Sequence, residues 1–406
     1  MNSNEVLKPQ FDRLQERALA AGGIALALAL AWGIARPAQF FRSYLLAYVF
    51  WIGFPLGSMA LLMLHHLAGG YWGFVIRRSL EAGTRSFRVM ALLFVPVLVG
   101  LRFGLFPWAQ SGAASDPLWR QKHFYLNVPF FGARAVVYFV AWILLAHYLN
   151  KWSAEQDRTG EPSLLSRFQA RFQALSGAGL VIYGLTITYA SVDWVMSLER
   201  GFFSTIYGMI FMVIPALTAL AFVIVVAMLL AGTKPLSDVI AESHFQDLGN
   251  ILLTFVMLWA YLSFSQFLIV WSGNLQSEVP WYISRAKGGW AGVALFLILF
   301  HFAVPFVLLL NRPVKRRMRV LAALASALMF VSLVDVFWLV TPAFYPSLSL
   351  VSGTDALMDV LAVAGIGGIW MARFISQLKS MPPLPLHDAR FVEAPFGATE
   401  TETSGA

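Results

Sequence analysis

The chain has 406 residues, of which 59% are hydrophobic and only 12% charged, and its mean hydropathy is +0.69. A soluble chain is about a quarter charged, so this one has too few ionic groups to clothe a water-facing surface, and its apolar residues fall in runs long enough to cross lipid. It contains no cysteine, which excludes disulfides, iron–sulfur ligation, c-type haem attachment and thiolate zinc sites within it, and its net charge of +8 without a base-reading motif points to basic membrane loops, not to nucleic acid.

Residues 1–17 are polar and carry Lys8, Arg13 and Arg17. The apolar run at 18–34 has the look of a signal-peptide core, but the polar lead is long and the run is near full span length, so it reads as an uncleaved first span. Further spans fall near 44–67, 87–106, 128–149, 177–196, 204–231, 247–271, 289–310, 319–341 and 354–375, each long enough for roughly 30 Å of hydrocarbon. The expected fold is therefore an all-α integral membrane protein with about ten transmembrane helices between 18 and 375. A tail at 376–406, with the Pro-rich stretch Met381 to Pro385, reads as a disordered end. Pro96, Pro215 and Pro305 lie inside spans and predict kinks, and Gly53–Phe54–Pro55–Leu56–Gly57 predicts a bend in span two.

Alternate loops differ in basic residues. The N-terminal segment, 68–88, 150–176, 232–246, 311–319 and the C-terminal segment hold twenty Lys and Arg; the opposite set holds seven, Arg36, Arg42, Arg120, Lys122, Arg200, Arg285 and Lys287. The positive-inside rule then expects both termini in the cytoplasm. The opposite loops are rich in aromatics, Trp108, Trp119, Trp271, Trp281, Tyr282 and Tyr345 among them, as interfacial belts are.

Among the charges within spans, Arg102, Arg134, Asp193 and Asp335 are all expected in the outer third. A charge at membrane depth costs roughly 2.5–3.5 kcal/mol on insertion scales and needs a partner or a wet cavity. Structural ion pairing and a protonatable cluster both fit. His65, His66, His147 and His301 are expected on the inner halves or inner ends of their spans; interfacial packing, proton uptake from the cytoplasm and haem ligation are the alternatives. In span seven, Asn250, Thr254, Tyr261 and Ser265 fall within about 60° of one another on a helix, with Gln266 beside them. In span five, Tyr183, Thr186, Tyr189 and Asp193 form a broader polar face. Such stripes either glue helices together or line a proton path. Phosphate-binding, serine-hydrolase and metalloprotease motifs are absent from the sequence.

The segment 183–208, YGLTITYASVDWVMSLERGFFSTIYG, has a core, DWVMSLE followed by FST, that resembles the ActF-type, NrfD-like membrane subunits of bacterial alternative complex III, a quinol:cytochrome c oxidoreductase. LGSMALLMLHHLAGGYWGFVIRRSLEA at 56–82, KHFYLNVPFFGARAVVYFVAW at 122–142 and WAYLSFSQFLIVWSGNLQSEVPWYISR at 259–285 look like further segments of that family in the same order. The resemblance implies two central four-helix bundles and a place in the bacterial cytoplasmic membrane. It also implies partners: a sister NrfD-like subunit carrying the quinol site, an iron–sulfur subunit, multihaem cytochrome c subunits and, in some complexes, a terminal oxidase. Haem and iron–sulfur clusters would then sit in those partners, and this chain would bind no cofactor of its own beyond a degenerate quinone pocket. Asp193 lies in the matching DWVMSLE string, so a role in a proton path carries over to it directly. A purely structural scaffold subunit, or a secondary transporter, for which the sequence displays no convincing inverted repeat, are the competing readings.

Overall fold

In the computed structural model of the chain, residues 3–159, 162–234, 236–238, 240–382 and 384–385 are described. The greater part of the expected disordered tail, 386–406, lies outside them. The described residues are helical and contain no strand.

Among the described residues, ten helices are long and apolar enough to cross a membrane: α1 (Pro9–Ala35), α2 (Pro37–Ala68), α3 (Tyr71–Phe103), α4 (Val128–Thr159), α5 (Ser166–Leu198), α6 (Tyr207–Leu230), α7 (Glu242–Gly273), α8 (Trp290–Leu310), α9 (Met318–Ala343) and α10 (Gly353–Leu378). All ten expected spans are present. Several run further than the apolar stretch does, most clearly α3. Its first part, Tyr71–Thr84, was expected as a basic loop but is helical and almost wholly buried. The reason is local: Arg77 and Arg78 lie four and three residues before Glu81, and helical spacing lets one carboxylate take both guanidiniums, at 2.9 and 2.7 Å. Ser153 of α4 donates to the same carboxylate at 2.7 Å, and Arg78 reaches Asp157 of α4 at 2.5 Å. The charges of that segment therefore tie α3 to α4 instead of facing water.

α2 and α6 are the most enclosed spans. α2 packs on α3, α5, α6, α9 and α10, and α6 packs on α5, α7 and α9, while α4 lies on α5 and α8 on α7 and α9. The α2–α6 crossing is unusually close. A Cβ added to Gly57 would stand 1.9 Å from the Pro215 carbonyl oxygen and 2.7 Å from the Ala219 Cβ. Small residues on both helices let the backbones approach, and without a hydrophobic drive in lipid that van der Waals contact carries the association. α2 is one uninterrupted helix with Pro55 inside it, as α6 is with Pro215 inside it, and the glycines form a notch for the neighbouring helix. Pro96 and Pro305 do mark interruptions. α3 breaks at Phe94, and Pro305 follows a π-helical turn at Ile298–Ala303 in α8.

α1 and α10 lie along each other, with Gly22 against Gly368 and an ion pair between Asp12 and Lys379. That pair places the start of α1 and the end of α10 on one face, called here the basic face.

The substitution Gly57→Ala forces a methyl group into backbone that has no flexible end to move. Overpacking of this kind costs about 1–3 kcal/mol or more, so thermal unfolding of the detergent-solubilised protein should fall clearly. Gly23→Ala, which meets open space, should leave it unchanged; equal effects of the two would contradict the packing described.

Candidate functional site

α9 carries Asp335 into the interior, where it is 3% exposed. Its Oδ2 accepts the indole N–H of Trp259 from α7 at 2.8 Å and stands 3.6 Å from His301 Nδ1 of α8. His301 sits on the π-helical turn, fully buried, its ring centroid 4.1 Å from that of Trp259. Neither of its ring nitrogens makes a hydrogen bond. A π turn inserts an extra residue into a helix and is often found at functional sites. Here it carries an imidazole beside a buried carboxylate that has one firm donor. A His–Asp pair this close, incompletely hydrogen-bonded, is able to hold one proton between its members and to pass it on.

Asp335 opens onto a cavity of about 680 Å³ between α7, α8, α9 and the short helix Val279–Arg285. Most of its wall is aliphatic and aromatic. The polar positions are Asp335, Ser263, Gln266, Tyr282 and Arg285. Gln266 accepts from Ser204 and donates to the Tyr282 hydroxyl, both at 3.3 Å. Burial pushes the Tyr282 phenol up to about 12, against opposing effects of Gln266 and Arg285, so it stays protonated. Arg285 lies over the Trp281 ring at 3.8 Å, pairs with Glu199 at 3.1 Å and donates to the Leu339 carbonyl at 3.0 Å. Phe264 and Phe267 of α7 and Leu295 and Ile298 of α8 also line the cavity and are exposed on the outer surface. The cavity is thus flanked by an apolar face of the kind that meets lipid.

Arg102, Arg134, Asp193 and Asp335 do not form one cluster. Arg134 grips Asp193 with two parallel hydrogen bonds of 2.9 and 2.7 Å, and Tyr138 adds a third donor to Asp193 at 2.8 Å. Arg134 also lies 3.8 Å from the Tyr125 ring centroid and 4.4 Å from that of Phe130. Asp335 belongs to the separate centre with Trp259 and His301. Arg102 is exposed at the last turn of α3 and makes no ion pair among the described residues. Charge attraction selects the nearest well-shaped partner, and Arg134 with Asp193 already satisfy each other.

The span-seven stripe also lies differently from a path through the interior. Asn250, Thr254 and Tyr261 are exposed and Ser265 is half-buried. Asn250 accepts from Lys315 at 2.7 Å, and the Thr254 hydroxyl bonds back to the Asn250 carbonyl at 3.0 Å. The inward face of α7 is instead Phe245, Leu248, Leu252, Val256, Trp259 and Leu262, with Gln266 as its polar member. On α5, Thr186 is satisfied by Trp142 and the Ile182 carbonyl, Tyr183 is buried with its hydroxyl unbonded, and Tyr189 is exposed. The histidines divide as well. His65 packs edge-on to Trp72 and His66 stacks on Phe172, both buried near the basic face, while His147 is exposed there. His301 lies near the middle of α8, just past its midpoint towards the basic face as expected, and at the depth of Asp335.

Sequence reasoning missed Trp259 as the donor to Asp335, Glu199 as the partner of Arg285, and Glu81 and Asp157 as partners of Arg77 and Arg78. The i,i+4 spacing in Arg77–Glu81 was a readable signal; the other three join distant segments and had none.

Removing one member of a buried ion pair leaves the other charge uncompensated, at about 3–5 kcal/mol. Arg134→Ala should therefore lower the melting temperature of the purified protein strongly. Arg134→Lys, which keeps the charge but loses the fork, should fall between it and the unaltered chain. A melting temperature unchanged in Arg134→Ala would remove the pair as a structural element.

No protein-family model matches this chain, and no curated protein matches it in sequence.

Proposed function

We propose that the chain is a membrane subunit of a quinol:electron-acceptor oxidoreductase of the alternative complex III type, holding a quinone-class lipophilic molecule in the cavity beside Asp335 and His301 and moving protons through that pair. The observation that carries this reading is the cavity itself, an apolar chamber flanked by a lipid-type surface and ending on the buried Asp335 carboxylate, which has the His301 imidazole beside it. An isoprenoid-tailed substrate reaches its site from the bilayer, so it needs an apolar approach. Its ring oxygens need hydrogen-bond donors, which Gln266, Tyr282 and Arg285 supply. Quinol oxidation releases protons, and Asp335 with His301 offers a buried place to receive one at a time. The resemblance of DWVMSLE and FSQFLIVWSGN to the ActF-type subunits supports the same assignment.

In this reading the ten spans form two four-helix bundles, α2–α5 and α6–α9, flanked by α1 and α10. The basic face is cytoplasmic, the membrane is the bacterial inner membrane, and the electron carriers sit in the sister NrfD-like, iron–sulfur and multihaem cytochrome subunits, with a terminal oxidase as a further partner. The span-seven stripe, outward-facing and polar, suits contact with such a partner. For Asp193 the geometry favours the scaffold role, because its three side-chain hydrogen bonds leave it little to exchange.

The test separates the two acids. Asp335→Asn keeps the shape and an acceptor for Trp259 but removes the exchangeable proton. Acid–base steps contribute about a hundredfold or more, so quinol-dependent turnover and proton release in reconstituted complex should drop by that order with assembly intact. A photoreactive quinone analogue should label α7, α8 or the short helix Val279–Arg285. Unaltered turnover in Asp335→Asn, together with labelling elsewhere, would remove the proposal.

A further inference from the structure

A second cavity, of about 300 Å³, lies at the basic face between α3, α4 and α10, far along the chain from the aromatic chamber. Its wall includes Arg85, Arg88, His147, Lys151 and Arg373 and contains no carboxylate. Clustered cations of one sign repel, and proteins ordinarily interleave them with acids, as this chain does one turn away where Glu81 and Asp157 take up Arg77 and Arg78. The cavity cations have no ion pair as close among the described residues, although Glu81 and Asp157 also attract Arg85 from a distance. Arg85 spends its Nε on Asn150 Oδ1 at 2.7 Å, and Asn150 is held in turn by the Thr84 hydroxyl and the Ala146 carbonyl. That bond fixes the guanidinium plane and leaves its terminal N–H groups without a partner among the described residues. Arg373 Nε is buried with no hydrogen bond at all. Arg88 has no ion pair among the described residues, and Lys151 reaches Glu155 only at 4.0 Å.

The surroundings are those of a lipid. On α3, Leu92 follows Arg88 by one turn; on α4, Leu144 precedes His147 by one turn. Because α3 runs away from the basic face and α4 runs towards it, both leucines lie deeper in the membrane than the cations, and both are exposed, at 72% and 50%. Phe87, Ile143 and Ala146 complete the inner wall of the cavity. Cations at the interface with exposed aliphatic side chains one turn below them match a phosphate headgroup with its acyl chains hanging into the hydrocarbon, and basic pockets between spans are where anionic headgroups bind.

We propose that this cavity binds the phosphate group of an anionic phospholipid, with Arg85 and Arg373 contacting the phosphate and Arg88 and Lys151 at the mouth. The site is independent of the quinone reading and holds or fails without it.

The experiment uses the purified full chain, delipidated and placed in phosphatidylcholine nanodiscs with or without phosphatidylglycerol or cardiolipin. Native mass spectrometry reads bound lipid, and a thermal melt reads stabilisation. The expected result is selective retention of the anionic lipid and a higher melting temperature with it. Each removed cation should weaken retention about fivefold. Arg373→Gln tests the buried wall, and Arg88→Gln with Lys151→Gln tests the exposed mouth, where loss of folding is not at issue. Retention in the mouth variant equal to that of the unaltered chain, or equal retention of phosphatidylcholine, would overturn the proposal. So would stabilisation by inorganic phosphate alone that matches the anionic lipid, which would assign the cavity to a soluble phosphate.

Discussion

The α2–α6 crossing is the constraint on which the rest depends. Lipid tails are as apolar as leucine, so membrane helices gain little by hiding apolar surface from them, and their association rests on close packing and on polar contacts. At Gly57 and Pro215 the two backbones meet with no side chain between them. That contact fixes the separation of the two most enclosed spans, and α5, α9 and α10 all pack against α2 at positions that follow from it. Aromatic side chains fill the neighbouring space: Phe54 meets Phe222 of α6 edge-on at 5.4 Å and Trp370 of α10 at 4.8 Å. The Trp51 and Trp370 indoles donate to the Val363 carbonyl and to Ser86, which ties α2 to α10 and α10 to α3.

Around this axis the polar groups separate into centres with different chemistry. The Arg77–Arg78–Glu81 group and the Arg134–Asp193 pair are closed systems in which each charge meets a well-placed partner. Closed systems hold helices together and resist exchange, because any movement of a proton would strand a charge in a low-dielectric setting. Asp335 with His301 is open: one firm hydrogen bond, two unbonded ring nitrogens and a chamber alongside. The cationic cavity near Arg373 is open in another sense, with donors present and no anion to take them. The distinction between satisfied and unsatisfied groups, more than the presence of charge, separates scaffold from working site.

Much of the fold was legible in the sequence because span length and hydropathy are local properties. All ten spans fall where the apolar runs lie, and the differences concern only how far helices continue past them. The site was legible in part. Asp335 and His301 were visible as costly groups inside spans, and Asp193 and Arg134 likewise. Their pairing was not, since it depends on which helices come to lie side by side. Periodicity shows which residues share a face but not which way that face points. Asn250, Thr254 and Tyr261 do share one, and the larger apolar residues opposite them took the interior. Gln266, one residue past the stripe, is the member that reaches the cavity. Trp259 carried no signal beyond its aromatic character, since an indole donor is recognisable only once its acceptor is in place.

The π-helical turn at Ile298–Ala303 divides α8 into two segments whose rotational phases are set separately. One additional residue advances a helix by about 100°, so the stretch before the turn and the stretch after it need not present the same sequence register to their neighbours. Trp290 and Leu297 point inward before it, and Pro305 and Leu309 point inward after it. In a continuous α-helix these two sets would drift apart around the axis. The turn takes up that phase error at the one point where His301 faces Asp335, so the irregular backbone that presents the imidazole is also the joint that lets a single rod conform to two differently oriented grooves.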